Sequence, residues 1–176
     1  VDINGDGWLD IFVCKAGKPE GINRHNELFI NQGISDEHGL PRFIESAADY
    51  GIDDIGFSVH AAFFDMDRDG DLDMYLLNNS IDPSDIVIEP KEGLREQPDP
   101  GGGNKLYRND GDQFTDITQQ AGIYSSAIAF GLGVAIGDVN RDGWQDIYIA
   151  NDYFERDYLY INNKDGTFSE SIEELM

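Results

Sequence analysis

The chain has 176 residues, of which 12 are basic and 35 acidic, for a net charge of −23. A polyanion of this size does not grip nucleic-acid phosphates or an anionic membrane, because both need basic patches. Yet 40% of the residues are hydrophobic and 11% aromatic, enough apolar surface to build a core, so disorder is disfavoured and bound cations are the first explanation of the acidity to test.

In chain order, the first element is an acidic loop, Asp2-Ile-Asn4-Gly-Asp6-Gly7-Trp8-Leu-Asp10, and Trp8 to Cys14 then predicts a strand. Leu28-Phe29-Ile30-Asn31 predicts a second strand. Phe43, with Glu45 two residues on, predicts a third, running to Gly51-Ile52. The order then starts again. Phe57 to Phe64 is a strand ahead of the loop Asp65-Met-Asp67-Arg68-Asp69-Gly70-Asp71-Leu-Asp73. It is followed by Leu72 to Leu77, Leu106-Tyr107-Arg108-Asn109, and Phe114 with Asp116 and Gly122-Ile123. The third round is Phe130 to Ile136, the loop Asp138-Val-Asn140-Arg141-Asp142-Gly143-Trp144-Gln-Asp146, Trp144 to Ala150, Leu159-Tyr160-Ile161-Asn162, and Phe168 with Glu170. These short runs are rich in aliphatic and aromatic residues and bounded by Gly, Asn and Asp, as strands are.

Self-similarity of this kind is the signature of a repeat architecture. Four short antiparallel strands per unit, here lettered A to D with the acidic loop joining A to B, point to an all-β fold of β-propeller blades. The expected division is 1–52 (blade one, lacking strand A), 53–123 (blade two) and 124–176 (blade three, stopping short of its Gly-Ile). About three blades do not close a propeller, and Val1 is not Met, so the chain reads as a piece of a longer protein. Length variation is confined to the B–C loop, whose longest version, Ser80 to Gly103, carries Pro83, Pro90, Pro98, Pro100 and three consecutive glycines. Repeat proteins place such insertions on one face, often the binding face. The apolar runs are too short for a membrane-spanning helix, and the single cysteine, Cys14, rules out an internal disulfide framework.

The three acidic loops share the pattern D-x-[DN]-x-D-G-x-x-D. Oxygen donors at positions 1, 3 and 5 converge in a tight loop, and Gly at position 6 permits the turn. The candidate metal ligands are Asp2, Asn4, Asp6, Trp8 (through its carbonyl) and Asp10; Asp65, Asp67, Asp69, Asp71 (carbonyl) and Asp73; and Asp138, Asn140, Asp142, Trp144 (carbonyl) and Asp146. All-oxygen, carboxylate-heavy donors suit Ca²⁺, whereas Zn²⁺ would want His or Cys. An EF-hand needs a Glu at position 12 and flanking helices. Position 12 here is Val13, Leu76 or Ile149 in a strand-type run, so the loops are expected between strands. Up to three Ca²⁺ ions follow, and loop two, with four carboxylate ligands, should bind most tightly. With dissociation constants of about 10⁻⁴ to 10⁻³ M, typical of extracellular modules, three sites would add on the order of 1–4 kcal/mol where calcium is plentiful. That favours an extracellular or cell-envelope location, periplasmic or at the outer surface.

The run Phe130-Gly131-Leu-Gly-Val-Ala135-Ile-Gly137-Asp138, with the loop after it, resembles the FG-GAP repeat, also called the VCBS repeat, of integrin α chains and bacterial secreted proteins. Leu-Tyr-x-Asn, Phe114 to Ile123 and the acidic loop occur in the order seen in bacterial proteins of the ASPIC/UnbV group, related to cartilage acidic protein. The second copy departs from the pattern with Phe57-Ser58 in place of Phe-Gly, and the first carries Ala47 where Thr stands in the family. The resemblance implies seven blades, calcium in the A–B loops and partner binding on the opposite, B–C face; no catalytic residue carries over.

The remaining signals are weaker. His25 and His38 lie in polar loops, and His60 aligns with Gly133 on strand A, where a packed position is expected ahead of a channel-lining one. The glycine spacings match neither a dinucleotide fingerprint nor a P-loop. The expected function is a non-catalytic, calcium-binding module for adhesion or binding of a protein or glycan through the B–C face, with no nucleic acid and no enzyme activity. The alternative is the propeller part of a calcium-dependent polysaccharide lyase or other carbohydrate-active enzyme, disfavoured by the scarcity of cations to hold an acidic sugar.

Overall fold

The computed structural model describes residues 1–16, 24–79, 93–99, 101–111, 113–153 and 155–175. Most of the expected B–C insertion, 80–92 and 100, lies outside them. The first sheet holds β1 (Ile11–Val13), β2 (Glu27–Ser35) and β3 (Pro41–Glu45), followed by one helical turn, α1 (Ala47–Tyr50). The second holds β4 (Ser58–Phe64), β5 (Asp73–Asn78), β6 (Lys105–Asn109) and β7 (Phe114–Asp116). The third holds β8 (Gly131–Gly137), β9 (Asp146–Asn151), β10 (Tyr158–Asn162) and β11 (Phe168–Glu170), followed by α2 (Ile172–Leu175). Every pairing joins chain neighbours in antiparallel register. The sheets are meanders, and the architecture is all-β, a partial propeller.

Strand ends differ from the sequence expectation. The strand expected over Trp8 to Cys14 is only Ile11–Val13, and the strands expected from Leu72 and Trp144 begin at Asp73 and Asp146. Trp8 and Leu9 belong to the loop, with 52% and 71% of their surface exposed, and Cys14 lies one residue past β1. The position-9 aspartate faces the last residue of strand A, Asp73 opposite Phe64 and Asp146 opposite Gly137. It therefore marks where the loop ends and the ladder begins.

The core sits between the sheets. All six residues of β5 are buried, because the strand has a neighbour on each face. Met74 and Leu76 join Leu28, Ile30, Ala47 and Ile52 of the first sheet region, while Tyr75 and Leu77 join Ile147, Ile149, Tyr158 and Tyr160 of the third sheet. With the side-chain period of two along a strand, β5 is shared by two interfaces.

This stacking explains the Phe-Gly motif. A Cβ on Gly131 would lie 2.3 Å from Leu77 Cδ1, so β8 packs against β5 only with glycine there. In the second copy Ser58 is tolerated, and its hydroxyl accepts a bond from Asn26 Nδ2 at 2.9 Å, joining the first two sheets. The Gly-Ile motif is also an inter-sheet contact. Gly122 has φ +77°, and a Cβ there would lie 2.8 Å from the Phe168 carbonyl, while the Phe168 N–H donates to the Ala121 carbonyl at 2.8 Å. His60 corrects an expectation: it occupies the same irregular ladder position as Gly133 but is exposed, not packed. His25 is exposed, as expected, with its Nδ1 2.9 Å from the Asp53 carbonyl oxygen.

Candidate metal centre

The three acidic loops link equivalent positions, with loops two and three joining strand A to strand B, β4 to β5 and β8 to β9. Their curvature comes from two left-handed residues per loop. Position 6 is Gly7, Gly70 or Gly143, with φ of +87°, +100° and +88°. Position 4 is Gly5, Arg68 or Arg141, with φ of +69°, +65° and +61°. The glycine requirement read from the sequence therefore covers half of the turn; the arginines adopt the other left-handed position at a cost that their surroundings must offset.

In loops one and three the side-chain oxygens converge as acceptors on backbone N–H groups. Asp2 and Asn4 both accept from the Asp6 N–H, at 3.1 and 3.2 Å, and Asp138 and Asn140 both accept from the Asp142 N–H, at 3.0 and 2.9 Å. The Asn side chain also donates to the position-5 carboxylate, at 3.1 Å in loop one and 3.0 Å in loop three. Lys164 pairs with Asp142 at 3.0 Å. The Asp142 carboxyl is held below its usual value, first by the Trp144 N–H and then by Lys164 and Asn140.

Loop two has Asp67 where the others have Asn, and so lacks that amide donor. One oxygen each of Asp65, Asp67 and Asp73 lies within 4.8 Å of the others. Asp65 Oδ1, Asp67 Oδ1 and Asp71 Oδ1 are buried without a hydrogen-bond partner. The electrostatics follow from this crowding. Burial pushes Asp73 up to about 7, despite two backbone N–H bonds, with Asp67 and Asp71 adding to the rise. Burial and then the Asp69 carboxyl raise Asp71 to about 6, and Asp67 is raised for the same reasons. Converging carboxylates with several oxygens left without a donor are the arrangement a hard divalent cation relieves, and the ligand set fits calcium better than softer metals.

Position 9 has a role the sequence did not show. Asp73 takes the Met66 N–H at 2.8 Å and the Asn109 N–H at 2.9 Å on its two oxygens. Asp10 does the same with Ile3 and Asn31, at 3.0 and 2.8 Å, and Asp146 with Val139 and Asn162, both at 2.9 Å. The carboxylate thus staples the loop to strand C, whether or not it also ligates. Its partner is the Asn of the Leu-aromatic-x-Asn run. The side chain of that Asn donates to the residue before the aspartate, Leu9 O, Leu72 O or Gln145 O, and accepts from the N–H two residues on. Its threefold recurrence was the signal that could have identified it.

A stretch of 46 residues is 48% identical to integrin alpha-6 of Homo sapiens, covering 22% of this chain and 4% of that protein. The likeness is therefore to a small part of a far longer molecule. The model of the FG-GAP-like repeat matches residues 2–76, 94–149 and 138–175, nearly the whole length, and the chain belongs to the FG-GAP-like repeat family.

Proposed function

We propose that this chain is a calcium-stabilised, non-catalytic propeller segment serving adhesion or binding in an extracellular or cell-envelope protein. Its blades would be 1–52, 53–123 and 124–176. Loop two carries the reading: three carboxylates converge there, with buried oxygens that find no donor. The other two loops repeat its geometry with an Asn in place of one acid, which supports up to three ions of descending affinity, loop two first. The likeness to part of an integrin α chain supports a protein partner, and a glycan is the other class of ligand. The B–C face is the proposed contact surface. The pairing of cations argues against a site for acidic sugars: Arg95 is bound to Glu155, Lys105 to Asp54, Arg156 to Glu170 and Arg108 to Asp110. No helix among the described residues is long and apolar enough to cross a membrane.

The test is calorimetric titration of the chelator-stripped chain with calcium. Up to three binding events are expected, the tightest abolished by Asp67→Ala, with the melting temperature raised by calcium. No binding heat and an unchanged melting temperature would refute the reading.

A further inference from the structure

Loops two and three are joined by contacts that the repeat alone does not require. Met66, at position 2 of loop two, gives its N–H to Asp73 at 2.8 Å, and its carbonyl accepts from Asn162 Nδ2 at 2.8 Å. The Asn162 N–H in turn goes to Asp146 at 2.9 Å. The position-9 carboxylates of two adjacent loops are thus the ends of one short chain of bonds, which fixes the loops in register.

Onto this frame Arg68 adds a direct reach. From position 4 of loop two its guanidinium donates to the carbonyl of Gly143 and lies 4.7 Å from the centre of the Trp144 ring, within the roughly 6 Å at which a ring face attracts a cation. Gly143 and Trp144 are positions 6 and 7 of loop three, and the carbonyl of position 7 is one of its proposed ligands. The approach needs glycine as well: a Cβ on Gly143 would lie 2.7 Å from the Arg68 Nη2 atom. Trp144 is half-buried beside the guanidinium, whereas Trp8, its counterpart in loop one, is exposed. Between loops one and two neither half of the contact exists, since position 4 of loop one is Gly5 and position 7 of loop two is Asp71.

We infer that Arg68 is a positioning residue for the cation site of loop three and makes the sites of loops two and three a coupled pair, with loop one independent. Closing loop two around an ion fixes the backbone that carries Arg68, and Arg68 holds the Gly143–Trp144 segment in its ligating shape. This rests on the cation reading above. Because coupling is reciprocal, an ion in either loop raises the affinity of the other.

The experiment uses the full chain with Trp8→Phe, leaving Trp144 as the fluorescent reporter, and follows emission and calorimetric heat on calcium addition. Silencing loop two by Asp67→Ala, or by Asp65→Asn at a position that is aspartate in all three loops, is expected to weaken binding at loop three about fivefold, at the lower end of ordinary coupling. In an Arg68→Ala background the same silencing should change it less than about twofold. Arg141→Ala removes an arginine at the same left-handed position and serves as the matched control; it should keep the fivefold effect. Arg68→Lys, which keeps the charge above the ring, should restore part of it. Equal weakening with and without Arg68, or independent binding at the two loops in the parent chain, would overturn the inference while leaving the cation reading intact. No calcium response at any loop would overturn both.

Discussion

At positions 3 and 7 of the loops, two differences separate an acidic turn that is internally satisfied from one that is not: Asp67 stands for Asn, and Asp71 for Trp. Asn4 and Asn140 contribute an amide donor to the neighbouring carboxylate; Asp67 contributes another acceptor. Burial, with the neighbouring carboxylates adding to it, raises the proton affinity from the ordinary 3.8 to about 7 at Asp73 and about 6 at Asp71. A carboxyl raised on folding stabilises the folded state when protonated. That contribution is complete below about pH 4 and is lost as pH climbs through 6 to 7. In chelator, therefore, the melting temperature should fall between pH 4 and 7, and Asp71→Asn should flatten that slope. Calcium needs the ionised groups, so its affinity should rise over the same window. A chelated protein whose stability difference from Asp71→Asn does not vary with pH would contradict this account.

At the scale of the element, the strands are held by recurring side-chain clasps whose chemistry adapts to length. Glu45 and Glu170 reach the N–H groups of Leu28 and Leu159 directly, each at 3.3 Å, and also take the N–H two residues on. Asp116 is one methylene shorter. Its carboxylate accepts the Thr118 N–H and hydroxyl, and the hydroxyl oxygen accepts the Leu106 N–H at 2.9 Å. Thr118 is thus a relay that the glutamates make unnecessary, which explains why Ala47 is tolerated in its place. Thr118→Val strands a buried N–H and should cost about 1–3 kcal/mol in chemical denaturation. Ala47→Thr should bring no comparable gain. The Asn of strand C is a second clasp: Asn109 joins β6 to the end of loop two through its own N–H and its side chain.

For the whole molecule, the two interfaces that share β5 set the cooperativity. Leu76 and Leu77 are adjacent and fully buried, yet they face different sheets. Replacing either with Ala should cost about 2–5 kcal/mol. Hydrogen exchange should distinguish them. Leu76→Ala should speed exchange in β2 and β3, and Leu77→Ala in β8 to β11. Uniform acceleration by both would mean that the sheets open as one unit. A further brace comes from the described part of the insertion, where Arg95 pairs with the buried Glu155 of the third sheet region at 2.9 Å. Aromatic contacts add to the packing, with Phe12 edge-on to Phe63 across the first two sheets at 5.6 Å and Tyr124 edge-on to Tyr158 beside the third at 5.4 Å.

Much of this was legible from the chain alone. Short aliphatic and aromatic runs, three recurring motifs and the offsets of the acidic loops depend on local geometry, and local geometry is written in adjacent residues. They specified strands, meander order and the oxygen-donor loops. Other features depended on residues far apart in sequence. The need for glycine at 131 comes from Leu77. The position-9 aspartates bind backbone on another strand, and Arg68 reaches a loop 75 residues away. Such contacts arise only when the sheets stack, because stacking brings side chains of separate repeats into van der Waals and hydrogen-bond range, and no spacing within one repeat encodes that distance.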